Sequence, residues 1–94
     1  MKGDLKMKIN KNKAMEIAKG NNEYEVAFVG NLEECHDYIE SIEGKLPLFT
    51  KANIYRVDEV QFNGDTWGKN DVCYTDEKGN YWYYVLKING KLYQ

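Results

Sequence analysis

The strongest hydrophobic pattern in the chain lies in "NLEECHDYIESIEG", residues 31 to 44. Leu32, Cys35, Tyr38, Ile39 and Ile42 recur at three- and four-residue spacing, which predicts an amphipathic helix with one apolar stripe. Asn31 with Glu34 three residues later is a capping box, and Gly44 is a stop. A shorter helix is predicted in "NKNKAMEIAKGN", capped by Asn10 or Asn12, with Ala14, Ile17 and Ala18 on one face and Gly20-Asn21 at its end. At about two to three turns it requires tertiary packing, and its alanines permit close approach to a sheet. Between the helices, "YEVAFV" alternates as a strand, with Tyr24, Val26 and Phe28 on one side and Ala27 and Val29 on the other. The earlier "LKMKI" also alternates, so residues 1–8 are expected to form an edge strand or a flexible arm.

The second half is strand-rich. "KLPLFT" is a connection in which Leu46, Leu48 and Phe49 are expected to seal one end of the core. Tyr55 and Val57 share one parity while Val60 and Phe62 share the other, so a single strand spanning them needs a bulge near Asp58 or Glu59. Asn63-Gly64 and Asn89-Gly90 are hairpin turns, and "DEKGN" closes a longer turn between "DVCYT" and "YWYYVLKI". In that last run Trp82, Tyr84, Leu86 and Ile88 point one way, while Tyr81, Tyr83 and Val85 point the other. The first set is expected to face the helices and meet Leu32, Cys35, Ile39 and Ile42; the second is expected on an open face, available to a partner or a second copy.

This order of elements predicts an α+β fold, with two short helices on one face of a mainly antiparallel sheet of four or more strands. A cystatin-like arrangement fits it. Ninety-four residues support one hydrophobic core, so residues 1–94 are expected to form a single compact domain. A hydrophobic fraction of 43% and a single proline place the chain among globular rather than disordered sequences. No run approaches the roughly 18 apolar residues of a membrane span, and "MKGDLKMKIN" lacks the apolar core of a secretory signal. Cys35 and Cys73 both lie in apolar patterns, which favours buried thiols over a bridge. The expected location is the cytoplasm, with no membrane partner.

Charge is segregated. Residues 1 to 19 hold six lysines against Asp4 and Glu16, whereas residues 20 to 44 hold seven acids and neither lysine nor arginine. Glu33, Asp37 and Glu40 form an acidic stripe on the second helix, flanked by Glu34 and Glu43. This stripe is either a solvated face or a docking surface for a basic partner or for the first segment's lysines.

No residues assemble a recognisable catalytic or cofactor motif. The single histidine, His36, follows Cys35 on a helix, where adjacent positions diverge by about 100°, so the pair is no ready-made metal site. Asp65, Asp71, Asp76 and Glu77 lack the ordered spacing of a calcium loop, and "FNGDTWGKND" has no phosphate-binding fingerprint. No catalytic, cofactor-binding or metal residue is expected. A pI of 5.4 and a lone arginine, Arg56, weigh against nucleic acid despite the basic N-terminus and stacking tyrosines.

"KNKAMEIAK", the strand after it, and the late tryptophan strand ending in "INGKLY" resemble PepSY-type domains, small α+β units associated with inhibition or regulation of peptidases. Small immunity proteins and phage-encoded inhibitors are comparable in size and acidity. The expected function is a non-enzymatic protein-binding module of the inhibitor or immunity kind, acting through Glu33, Asp37, Glu40 and Glu43 on the helix and Tyr81, Tyr83 and Tyr93 on the aromatic surface. The alternatives are a homo-oligomeric assembly protein, a small hydrolase using carboxylate or tyrosine chemistry, and a nucleic-acid binder with a local basic patch.

Overall fold

The computed structural model describes residues 5–62 and 65–94, with the backbone alone described at 62, 65 and 67. Along these residues the order is β1 (Leu5–Lys8), α1 (Lys11–Gly20), β2 (Glu25–Gly30), α2 (Leu32–Glu43), β3 (Ile54–Arg56), β4 (Glu59–Phe62), β5 (Asp65–Lys69), β6 (Val72–Thr75) and β7 (Tyr83–Lys87). The α+β class is as expected: two helices with strands paired mostly antiparallel. β7 is the centre of a β2-β7-β3 ladder, β4 pairs with β5, and β1 runs parallel to β6. Trp82, the residue before β7, links two of these units, because its backbone N–H donates to the Tyr74 carbonyl at 3.0 Å and its carbonyl accepts from Val57 N–H at 2.9 Å. Among the described strands β1 pairs with β6 alone, and all four of its residues are exposed.

Local chemistry sets both helix starts. Asn10 caps α1, its Oδ1 accepting from Lys13 N–H at 2.8 Å. At α2 the capping box is complete: Asn31 Oδ1 accepts from Glu34 N–H at 2.8 Å, and Glu34 Oε1 accepts from Asn31 N–H at 2.9 Å. Gly44, with φ of 77°, ends α2.

The two helices lie on opposite faces of the central ladder, which corrects the expectation that both share one face. Ala14 and Ala18 of α1 pack with Val29, Tyr55, Val57, Tyr84 and Leu86, joined at the margin by Trp82 and Ile88. Cys35 and Ile39 of α2 instead pack with Val85 and Leu92, and Tyr83 borders that second cluster. The parity of the "YWYYVLKI" run is therefore as expected, but only α1 meets the Trp82 face. Its other face is covered by α2 rather than left open. The physical reason is the strand's two apolar faces, each of which has to be removed from water.

Three further expectations change. In β2 the register shifts between Val26 and Phe28, so Val26 and Val29 join the α1 side while Ala27 and Phe28 join the α2 side. Phe28 consequently stacks on Tyr38 of α2, with ring centroids 4.6 Å apart. Between Tyr55 and Phe62 a turn at Val57–Asp58 separates β3 from β4, which removes the need for one bulged strand. In "KLPLFT" only Leu46 packs against a core; Leu48 and Phe49 are exposed.

Of the hairpin turns, Asn63-Gly64 lies outside the described residues. Asn89 and Gly90 take φ of 54° and 79°, and Ile88 and Lys91 exchange backbone hydrogen bonds across them, as a type I′ turn requires. In the longer turn, Asp76 Oδ1 accepts from both Lys78 and Asn80 N–H at 2.9 Å, and Gly79 takes φ of 89°. Both cysteines are buried and unbridged, as expected.

Candidate interaction surface

The capping box aims the N-terminal end of α2 at the turn that precedes β7. The space between them is a cleft of about 350 Å³ lined by Asn31, Leu32, Glu33, Asn80, Tyr81 and Tyr83, together with Gly79. Three of the sequence-predicted residues, Glu33, Tyr81 and Tyr83, thus come together. Asp37 and Glu40 continue from Glu33 along the exposed face of α2, so the acidic stripe runs into the cleft. Glu43 is exposed at the far end of the helix. Tyr93 is elsewhere, half-buried in an antiparallel bridge with Ala52.

Neither cleft tyrosine is the free-standing anchor expected from an open sheet face. Tyr83 borders the core beneath α2, which leaves it half-buried. Tyr81 carries two cations over its ring, with Arg56 Cζ 4.8 Å and Lys6 Nζ 5.5 Å from the centroid. The cleft wall is therefore built on a structural ion pair. Arg56 Nε donates to Asp58 Oδ1 at 2.7 Å and Nη2 to Asp58 Oδ2 at 3.1 Å, a two-pronged pairing with a carboxylate that is 0% exposed. The hydrogen bond that Arg56 donates to Asp58, set against partial desolvation, pushes the Arg56 pKa further up, so this cation stays charged. Cys73 completes the cluster, its Sγ 3.7 Å from Arg56 Nη2 and 3.9 Å from Asp58 Oδ2.

Sequence reasoning missed this cluster. Its signal was present in "YRVDEV", where the sole arginine stands two residues before an acid within a strand-rich run. That spacing permits the pair, but only the turn at Val57–Asp58 brings both side chains to one point.

A second hollow of about 400 Å³ shares Asn31 and Asn80 with the cleft and reaches the start of α1, where Asn10, Lys11 and Trp82 line it. Its charges are mixed, with Lys11 and Lys78 facing Glu34, Asp76 and Glu77, so it favours no ion of one sign. Cys35 is held as a neutral thiol: burial pushes its pKa up to about 12, opposed by the Gly30 carbonyl contact and reinforced by Glu34. Among the described residues no three His, Cys, Asp or Glu side chains gather as a metal site. Among them, too, no helix is long and apolar enough to cross a membrane.

The turn that follows α2 is the most exposed apolar feature among the described residues. Thr50 N–H donates to the Pro47 carbonyl at 3.3 Å, and Leu48 and Phe49 between them are 85% and 104% exposed. Phe49 adopts φ of 64°, a position glycine or asparagine usually takes, at a cost on the order of 1 kcal/mol for a bulky side chain.

No family model, curated protein or solved structure matches the chain. Function is therefore inferred from these surfaces.

Proposed function

We propose that the chain is a non-enzymatic protein-binding module, of the inhibitor or immunity kind, that occludes a basic surface on its partner. The observation that supports this reading is the meeting of Glu33 with Tyr81 and Tyr83 in one cleft. A long basic side chain entering there finds a carboxylate for its charge and aromatic and Leu32 surface for its stem. Asp37 and Glu40 extend the same sign of charge along α2, which speeds encounter with a basic partner and sets its orientation. Buried, unbridged thiols fit a reducing, cytoplasmic setting.

The experiment is affinity capture from the native cell with wild type and with the Glu33→Gln, Asp37→Asn, Glu40→Gln variant, followed by pairwise binding with each purified captured protein. A partner that binds wild type directly and loses at least tenfold in affinity with the variant supports the proposal. Equal affinity for both would remove the acidic face from function.

A further inference from the structure

We infer that the Leu48–Phe49 turn of one copy seats in the Leu32–Tyr83 cleft of a second copy, joining chains head to tail. The inference rests on reading that cleft as a binding site, and it adds a second copy of this chain as an occupant that competes there with the partner's basic side chain. The two surfaces are complementary in chemistry. The turn offers two adjacent apolar side chains almost wholly in water, flanked by the exposed cations Lys45 and Lys51. Lys51 also lies over the Tyr55 ring, 5.5 Å from its centroid. The cleft offers Leu32, which is 43% exposed, and the half-buried ring of Tyr83, with Glu33 as its acidic wall on the α2 side; on the Tyr81 side the Arg56 cation is paired with Asp58 and Lys6 lies over the ring. Apolar side chains fill the hollow while lysines meet the acidic stripe.

Within one chain the turn does not occupy the cleft, since Leu48 and Phe49 are almost wholly exposed. Leu32 opens α2 and the turn follows its last residue; at about 1.5 Å per residue the 12-residue helix holds the two surfaces at its opposite ends. The contact is therefore between different surfaces of two copies, and such a contact propagates unless its rotation closes a ring. A reciprocal pair, each copy giving its turn to the other, would bring the exposed acids of two α2 helices into one interface, and like charges disfavour it, so the head-to-tail arrangement is the one we infer.

The test is sedimentation velocity over a concentration series, using two variants: Leu48→Ser, Phe49→Ser, which removes the turn's apolar side chains, and Leu32→Ser, Glu33→Lys, which alters exposed positions of the cleft. Wild type is expected to grow past a dimer as concentration rises, and each variant alone to remain monomeric with an unchanged circular dichroism spectrum. Mixed together, the two variants retain one intact turn and one intact cleft between them, so a one-to-one heterodimer that grows no further is expected. A wild type that is monomeric throughout, growth that survives either variant, or a mixture that does not associate would overturn the inference. Assembly that stops at a dimer would overturn the head-to-tail geometry. The Leu48→Ser, Phe49→Ser chain keeps the whole acidic face and cleft, so its binding to a captured partner reports on the proposed function separately.

Discussion

Tyr84 and Val85 are neighbours in β7, yet they belong to different hydrophobic cores. Tyr84 packs on the α1 side, tilted against Tyr55 at a ring separation of 6.1 Å, and its hydroxyl donates to the Glu59 carbonyl at 2.9 Å. Val85 packs on the α2 side with Cys35 and Ile39. Truncations on the two sides should therefore be independent. Leu86→Ala and Ile39→Ala are each expected to cost about 2–5 kcal/mol, and the double variant the sum of the two within about 0.5 kcal/mol. Equilibrium unfolding of the four-member cycle checks this, and a coupling above about 1 kcal/mol would place both residues in one core.

Cys35 predicts a loss of stability at alkaline pH. Its thiol titrates at about 12 in the fold, against 9.0 for an ordinary thiol. The folded value is the higher, so the unfolded chain gives up the proton first. The contribution is fully present below pH 9 and is lost as pH rises through 12, with a slope of at most about 1.4 kcal/mol per pH unit from this group. Burial also pushes the Tyr84 phenol above its usual range, which extends the loss in the same direction. Chemical denaturation from pH 8 to 11, compared between wild type and Cys35→Ala, isolates the thiol: the variant should show the shallower decline.

The two cations over the Tyr81 ring, Arg56 and Lys6, are expected to contribute unequally. Arg56→Met leaves the fully buried Asp58 carboxylate without its two charged hydrogen bonds, at a cost on the order of 3–5 kcal/mol. Lys6→Met removes an exposed cation from Tyr81 and should cost under about 1 kcal/mol. Thermal unfolding of both variants is the measurement.

Gly30 is tied to the capping box. A Cβ added there would stand 2.7 Å from Glu34 Oε1 and 3.0 Å from a ring carbon of Phe28. Gly30→Ala should expel the Glu34 side chain from the cap and lose about 0.5–2 kcal/mol, the scale of a lost N-cap. In a Glu34→Ala background that bond is already gone, so the same substitution should cost measurably less. Denaturation of the two single variants and the double variant decides it.

Much of the local structure was legible because its causes are local. Asn10 and Asn31 cap the helices they precede, Gly44 and Asn89-Gly90 stand where positive φ is required, and the parity of Trp82, Tyr84, Leu86 and Ile88 follows from strand geometry. Period-two alternation assigns residues to two faces but carries no information on which helix covers which. Placing α2 opposite α1 depends on chain path, and the extra residue in β2 that turns Phe28 toward Tyr38 leaves no periodic trace of its own. Of the interaction surface, the acidic stripe on α2 was visible as helical spacing. Its junction with Tyr81 and Tyr83 was not, because the 76–80 turn and the start of α2 meet only in the folded chain. Leu48 and Phe49 were misassigned for a related reason: an apolar run beside a proline does not distinguish a plug from a projecting turn.

The most direct test of the proposed function is the association rate of a purified captured partner, followed by stopped flow at low and moderate salt. The account predicts that Glu33→Gln, Asp37→Asn, Glu40→Gln slows association at low salt and flattens its salt dependence. Because these acids are exposed and mutually repulsive, the variant's unfolding free energy should stay within about 0.5 kcal/mol of wild type. Identical rates at both salt concentrations, from a variant equally stable, would contradict the claim that the acidic face of α2 guides this protein to its partner.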